Sequence, residues 1–191
     1  MSIKQEVEFV GIDMIFPTRL YKFTISPVYI DKILKEITEQ ERDFEKQCIN
    51  VDKRGGQSIQ KYCTDYGNNI ILPTVEKTME HLSSYLQTIG LTFKLEEYWT
   101  ARYTEGSFHA PHTHSSSITA LVNFSGVLYI SSLGGTRLYS TTRSSFDNEW
   151  YVAAKSGDLI MFPSTILHAS EAFMGKDIRY IVAFNAEVYN T

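Results

Sequence analysis

The chain has 191 residues, enough for one domain with a sizeable core. Its net charge is -4, with 43% hydrophobic and 21% charged residues and no block of like charges, so nothing in it suits a nucleic acid or an anionic membrane surface. No apolar run reaches the length of a membrane span, and residues 1–8 are too charged for a signal peptide; the expected location is the cytoplasm, or a host's cytoplasm if the chain is phage-encoded.

Residues 7–25 read as an opening strand region, interrupted at Phe16-Pro17-Thr18. Ser26-Pro27 then starts a helix. The serine can accept a hydrogen bond from a free N–H, and proline costs nothing at the first helical position. Ile30, Ile33, Leu34 and Ile37 form one apolar stripe, with Lys32, Lys35, Glu36 and Glu39 on a solvated face. Between them, residues 48–72 carry loop signals, Arg54-Gly55-Gly56-Gln57-Ser58 and Tyr66-Gly67-Asn68-Asn69. No Lys-Ser/Thr follows the glycine pair, which rules out a P-loop. Cys48 and Cys63 form no C-x-x-C pair and read as free thiols in a reducing compartment.

A second helix follows from the spacing of Val75, Met79, Leu82, Leu86 and Ile89, with Gly90 as its stop. His81 lies off that stripe and reads as an ordinary surface or half-buried residue. From residue 93 the pattern turns to strands: 93–103, 118–131, 136–140, 150–154, 159–162 and 178–185, with turns at Glu105-Gly106, Gly134-Gly135 and Ser156-Gly157-Asp158. Aromatic residues make up 13%, which suits a β-rich fold. Two helices followed by some seven short strands predict an all-β barrel or sandwich backed by helices, and no repeat or linker divides it.

Four of the five histidines fall in two places: His109, His112 and His114, and then His168. Residues two apart on a strand share a face, so His112 and His114 could grip one ion from one strand while His168 closes the site from another. Such a set leaves positions open for substrate, cosubstrate and oxygen. A lone H-x-H is weak, and loop histidines near a polar surface are the plain alternative. Gly157-Asp158, Phe162-Pro163 and His168 downstream strengthen the metal reading, because they place a second strand and a third histidine where a jelly-roll partner belongs. The glycine allows a tight turn there, and the proline breaks strand pairing before the loop that carries His168. His109 sits three residues from His112, on the opposite face of an unbroken strand, and reads as a rim residue.

Taken in order, Phe16-Pro17-Thr18, Trp99, His112-x-His114, Ser125-Gly126-Val127-Leu128-Tyr129, Gly157-Asp158-Leu159, Phe162-Pro163-Ser164, His168, Arg179 and Phe184-Asn185 form a motif series. In these the chain resembles the Fe(II)- and 2-oxoglutarate-dependent oxygenase superfamily, and more narrowly a bacterial and phage group of such enzymes related to prolyl 4-hydroxylases. The resemblance implies a mainly β fold with supporting α-helices and a double-stranded β-helix (jelly-roll, cupin-like) core. It implies one oxygenase domain over 1–191, with helical support and outer strands in 1–92 and the jelly-roll core with the metal site in 93–191.

The resemblance also implies His112, His114 and His168 as catalytic iron ligands. Most of the superfamily has H-x-D; a neutral imidazole in the middle leaves the site one unit more positive, which dianionic 2-oxoglutarate would offset. Two alternatives stay open: His114 as a non-ligand, leaving a halogenase-like open position, and Glu105 as a ligand. Arg179 is implied to bind the distal carboxylate of 2-oxoglutarate, with an internal salt bridge or an exposed edge position as its plain alternative. Tyr129 is implied to hydrogen-bond the same carboxylate, with core packing as its alternative. Trp99, Tyr103 and Asn123 are candidates for the pocket wall.

The activity so implied uses Fe(II), 2-oxoglutarate and O2, with ascorbate as an accessory reductant. It hydroxylates a protein, peptide or small-molecule substrate and releases succinate and CO2. A three-histidine cupin-type dioxygenase without 2-oxoglutarate, and a non-catalytic jelly-roll binding module, are the competing readings. The substrate and the oligomeric state, a homodimer included, are not legible in the residues.

Overall fold

In the computed structural model the described residues are 7–15, 18–48, 64–65, 70–114, 123–131, 133–140 and 149–190. Phe16-Pro17, the Cys48 and Cys63 thiols, the loop signals at 54–58 and 66–69, and residues 118–122 of the expected strand lie outside what is described. The elements are β1 (Val7–Ile15), β2 (Thr18–Ile25), α1 (Pro27–Cys48), β3 (Thr64–Asp65), α2 (Pro73–Thr88), β4 (Leu91–Tyr103), β5 (His109–His112), β6 (Phe124–Tyr129), β7 (Gly134–Tyr139), β8 (Glu149–Ala154), β9 (Asp158–Pro163), β10 (Leu167–Ser170) and β11 (Arg179–Asn190).

All strand pairs are antiparallel and form two sheets, one of order β1-β2-β9-β6-β11-β4-β3 and one of order β5-β10-β7-β8. This is the double-stranded β-helix. The larger sheet has a core on each face, which period-two alternation makes possible. On the outer face Tyr21, Phe23, Leu128, Leu159, Met161, Val182 and Phe184 pack against Ile30, Ile33 and Ile37 of α1 and Val75, Met79, Leu82 and Leu86 of α2. On the inner face Leu20, Ala101, Val127, Ile160, Phe162 and Ile181 meet Leu138, Val152 and Ala154 of the smaller sheet. Each fully buried side chain of this size stabilises the fold by about 1.5–3 kcal/mol.

Both helices begin at proline and bury the expected stripes. Two details differ. Ile89 follows the last helical turn and is 45% exposed, because Gly90, at φ 77°, turns the chain away. Glu36 is not a solvated residue. Helix α2 has no side-chain cap of its own, and the Glu36 carboxylate of α1 accepts hydrogen bonds from the Thr74 N–H (3.2 Å) and the Thr74 hydroxyl. An anion there satisfies orphan donors and meets the positive end of the helix dipole. Gln40 adds a second clamp, pairing with both backbone groups of Ile71 at 2.5 and 3.0 Å. The helices are thereby fixed to each other as well as to the sheet.

The turn before β9 behaves as its residues suggest. Gly157 has φ 91°, its N–H donates to the Tyr129 carbonyl, and the Asp158 carboxylate accepts from the Lys155 N–H at 2.9 Å.

Candidate metal centre

His112 is the last residue of β5, and β10 runs antiparallel beside it with His168 directly opposite. Cross-strand pairing therefore brings together two rings 56 residues apart in the chain, with centroids 4.2 Å apart. His114 does not share the strand. It follows the end of β5 and is held by its own N–H, which donates to the Ser164 carbonyl at 3.0 Å. Even so, its ring stacks 5.1 Å from that of His168. One nitrogen from each of His112, His114 and His168 lies within 4.8 Å of the others, close enough for one ion.

The hydrogen bonds say which nitrogens face inward. His112 Nδ1 lies 2.8 Å from the Ala110 carbonyl and His168 Nδ1 lies 2.9 Å from the Ile166 carbonyl. A carbonyl only accepts, so each Nδ1 carries the proton and each Nε2 keeps a free lone pair. This second contact is the usual device that orients a metal-ligating histidine. Burial is the main cause that holds His168 well below its ordinary range, to about 3, and His114 to about 4; the neighbouring imidazoles add to it. Both are neutral at pH 7, as ligation requires.

The other expected residues separate into those that join the site and those that do not. His109 stacks on His112 at 4.2 Å and lines the pocket, outside the group of three. Glu105 is exposed in the turn with Gly106 and does not line the pocket. Trp99 lies on the pocket wall, 5.5 Å from the His114 ring. Asn123 is elsewhere: its amide pairs with both backbone groups of Val188, at 2.6 and 2.7 Å, and ties the start of β6 to the end of β11.

Arg179 opens β11 and points into the same pocket, only 3% exposed. Its guanidinium lies 4.0 Å over the Tyr103 ring and 5.0 Å from Phe173, and it donates to the Ser170 hydroxyl at 2.6 Å. Among the described residues it has no carboxylate partner, and its Nε–H is unpaired. Neither plain alternative, an internal salt bridge or an exposed edge, describes it. A buried cation without an anion is costly, so the pocket is built to receive one. A Cβ on Gly134 would come within 2.6 Å of Arg179 Nη1; only glycine lets β7 pass so close. Tyr129, 2% exposed, lines the same wall and pairs with the Thr136 hydroxyl at 2.6 Å; its burial raises the phenol's pKa.

Sequence reasoning missed Ser170, Thr136 and Phe173. Ser170 carried a signal, being two residues after His168 on one strand. Thr136 and Phe173 carried none. The pocket is narrow, about 40 Å³, and the imidazoles and the guanidinium line it together.

A family model described as "Putative 2OG-Fe(II) oxygenase" matches residues 97–185, which span every residue of this pocket. Over that segment the chain is similar to the 2OG-Fe(II) oxygenases. Enzymes of this family use Fe(II) and 2-oxoglutarate, and the three-histidine cluster with the anion-receiving guanidinium fits that pair. Solved structures share the fold at low identity. A Pseudomonas putida prolyl-4-hydroxylase is 14% identical, with a TM-score of 0.58 over 87% of this chain and 91% of that one. HygX from Streptomyces hygroscopicus, solved with nickel and 2-oxoglutarate bound, is 12% identical, with a TM-score of 0.62 over 89% and 83%. The 2-oxoglutarate-dependent carbocyclase SnoK from nogalamycin biosynthesis is 10% identical, with a TM-score of 0.65 over 87% and 78%. No protein among the curated ones matches this sequence.

Proposed function

We propose that the protein is a 2-oxoglutarate- and Fe(II)-dependent hydroxylase in which His112, His114 and His168 hold the metal and Arg179 holds the distal carboxylate of 2-oxoglutarate. The observation that carries this reading is the pairing, in one pocket, of three converging imidazoles with a buried guanidinium that has no carboxylate partner among the described residues. Iron with 2-oxoglutarate supplies the oxidising chemistry, releasing succinate and CO2.

The chain's own residues do the rest. The carbonyls of Ala110 and Ile166 fix the rings of His112 and His168 with Nε2 presented. Arg179 and the Tyr129 hydroxyl receive the far carboxylate; Tyr103, Phe173 and Ser170 hold the guanidinium still while they do so. Ile181, Phe162 and Trp99 keep the wall apolar, which strengthens the charge pairing by excluding water. The acceptor is a peptidyl or small-molecule C–H bond. The prolyl-4-hydroxylase likeness favours hydroxylation, although the same fold also serves the carbocyclase SnoK. Residues 1–191 act as one oxygenase domain, with α1 and α2 as its support.

The test is succinate formation by Fe(II)-supplied protein given 2-oxoglutarate and O2 with a panel of prolyl peptides and small molecules. The reading predicts succinate that disappears in His168→Ala and falls steeply in Arg179→Ala. Oxidation of a substrate that proceeds without 2-oxoglutarate contradicts it and favours the cupin-type reading.

A further inference from the structure

The three imidazoles are not equivalent. His112 and His168 each give the Nδ1 proton to a backbone carbonyl, so both present Nε2. His114 Nδ1 instead faces the side-chain amide of Asn185, with Nδ2 at 3.4 Å.

The orientation of that amide is set by its other neighbours. Asn185 is 4% exposed and lies between Glu97 of β4 and Ser125 of β6, its cross-strand partners in register. The Ser125 hydroxyl donates to Asn185 Oδ1 at 2.8 Å, and Asn185 Nδ2 donates to Glu97 Oε1 at 2.8 Å. Turning the amide over would set its carbonyl against the Glu97 carboxylate, two acceptors with no proton between them. Asn185 therefore shows N–H, and not C=O, to His114. A donor facing Nδ1 makes that nitrogen the acceptor, and in a neutral imidazole the proton then sits on Nε2.

We infer that Asn185, locked by Glu97 and Ser125, is a positioning residue that holds His114 in the tautomer opposite to its two partners and so restrains it as a metal ligand. Whichever nitrogen His114 offers, the network opposes it: Nδ1 is covered by the amide, and Nε2 holds the proton. His112 and His168 form a ready pair, while His114 is the last of the three to engage and the first to release. This rests on the metal-centre reading above. It gives the histidine in place of the superfamily's usual carboxylate a consequence, a third ligand whose hold the protein itself weakens.

The experiment has two parts. Ring ¹⁵N NMR of the metal-free protein at neutral pH reports each tautomer. The inference expects Nδ1–H at His112 and His168 and Nε2–H at His114; three rings of one tautomer overturn it. Ni(II) affinity is then measured by competition with a chromophoric chelator for wild type, Asn185→Leu and Glu97→Gln. Asn185→Leu removes the donor, so Ni(II) should bind roughly 3- to 10-fold tighter, the size of one neutral hydrogen bond. Glu97→Gln lets the amide turn over without disturbing the buried Ser125, and should tighten binding about 2-fold. Damage to structure weakens a metal site, so a gain separates the two roles. Wild-type protein that binds Ni(II) while both variants bind it equally or more weakly overturns this inference and leaves the metal centre standing. Wild-type protein that takes up no Ni(II) overturns both.

Discussion

Strand β11 belongs to two different environments. On the side facing the helices it carries Tyr180, Val182, Phe184, Ala186 and Val188, all buried in an apolar cluster with α1 and α2. On the other side it carries Arg179, Ile181 and Ala183, which line the histidine pocket, and Asn185, which reaches His114. One face excludes water to hold the sheet. The other buries a cation and an amide whose hydrogen bonds reach toward the imidazoles. The contrast teaches how a 191-residue chain can carry costly polar groups at its centre: the helix-facing core stabilises the strand whose opposite face is given over to chemistry.

Substitutions on the two faces should therefore separate stability from ligand binding. The largest effect is expected on the helix side. Leu82→Ala, at a fully buried position of α2, should lower unfolding free energy by about 2–5 kcal/mol in urea titrations and leave the metal affinity of the folded fraction unchanged. On the pocket side His168→Ala should reverse the pattern, weakening Ni(II) binding by roughly 100-fold or more with the cooperative unfolding transition retained. Arg179→Ala should cost roughly 10- to 100-fold in 2-oxoglutarate affinity by calorimetry, the range for a hydrogen bond to a charged group, with metal affinity intact. Equal loss of both ligands would mean misfolding and would erase the distinction.

One position joins the two faces. Gly126 lines the pocket, yet a Cβ there would lie 2.1 Å from the Phe184 ring on the helix side. Gly126→Ala should cost about 1–3 kcal/mol of stability and disturb the pocket as well, read as a joint change in melting temperature and Ni(II) affinity. The smallest effect is the pH dependence. His168 and His114 are held to about 3 and about 4 in the fold, below the ordinary 6.5. Between those values the unfolded chain binds protons that the native state refuses, so the metal-free protein is fully stable above pH 6.5 and loses stability as pH falls from there toward 4. Denaturation midpoints across that window should fall in wild type and stay flatter in His168→Leu.

Much of this could be read from residues because periodicity is local. The stripes of α1 and α2, the strand starts and the Gly157 turn depend on neighbours a few positions away. The histidine pair across β5 and β10 depends on register, which single-chain spacing does not encode. The bounds of β5 and β10 are not set by that spacing: His114, expected on the same strand as His112, lies just past its end. The roles of Glu36 and Asn123 were missed because their partners, Thr74 and Val188, are 38 and 65 residues away. Phe184-Asn185 was recognised as a motif, but its link to His114 exists only once β4, β6 and β11 lie side by side.

The most direct measurement is a calorimetric titration of 2-oxoglutarate into the protein with and without Ni(II), under anaerobic conditions. The account predicts one saturable site that requires both the metal and Arg179, with His168→Ala and Arg179→Ala each abolishing or sharply weakening it. Binding of equal strength in the metal-free protein, or in Arg179→Ala, would contradict it.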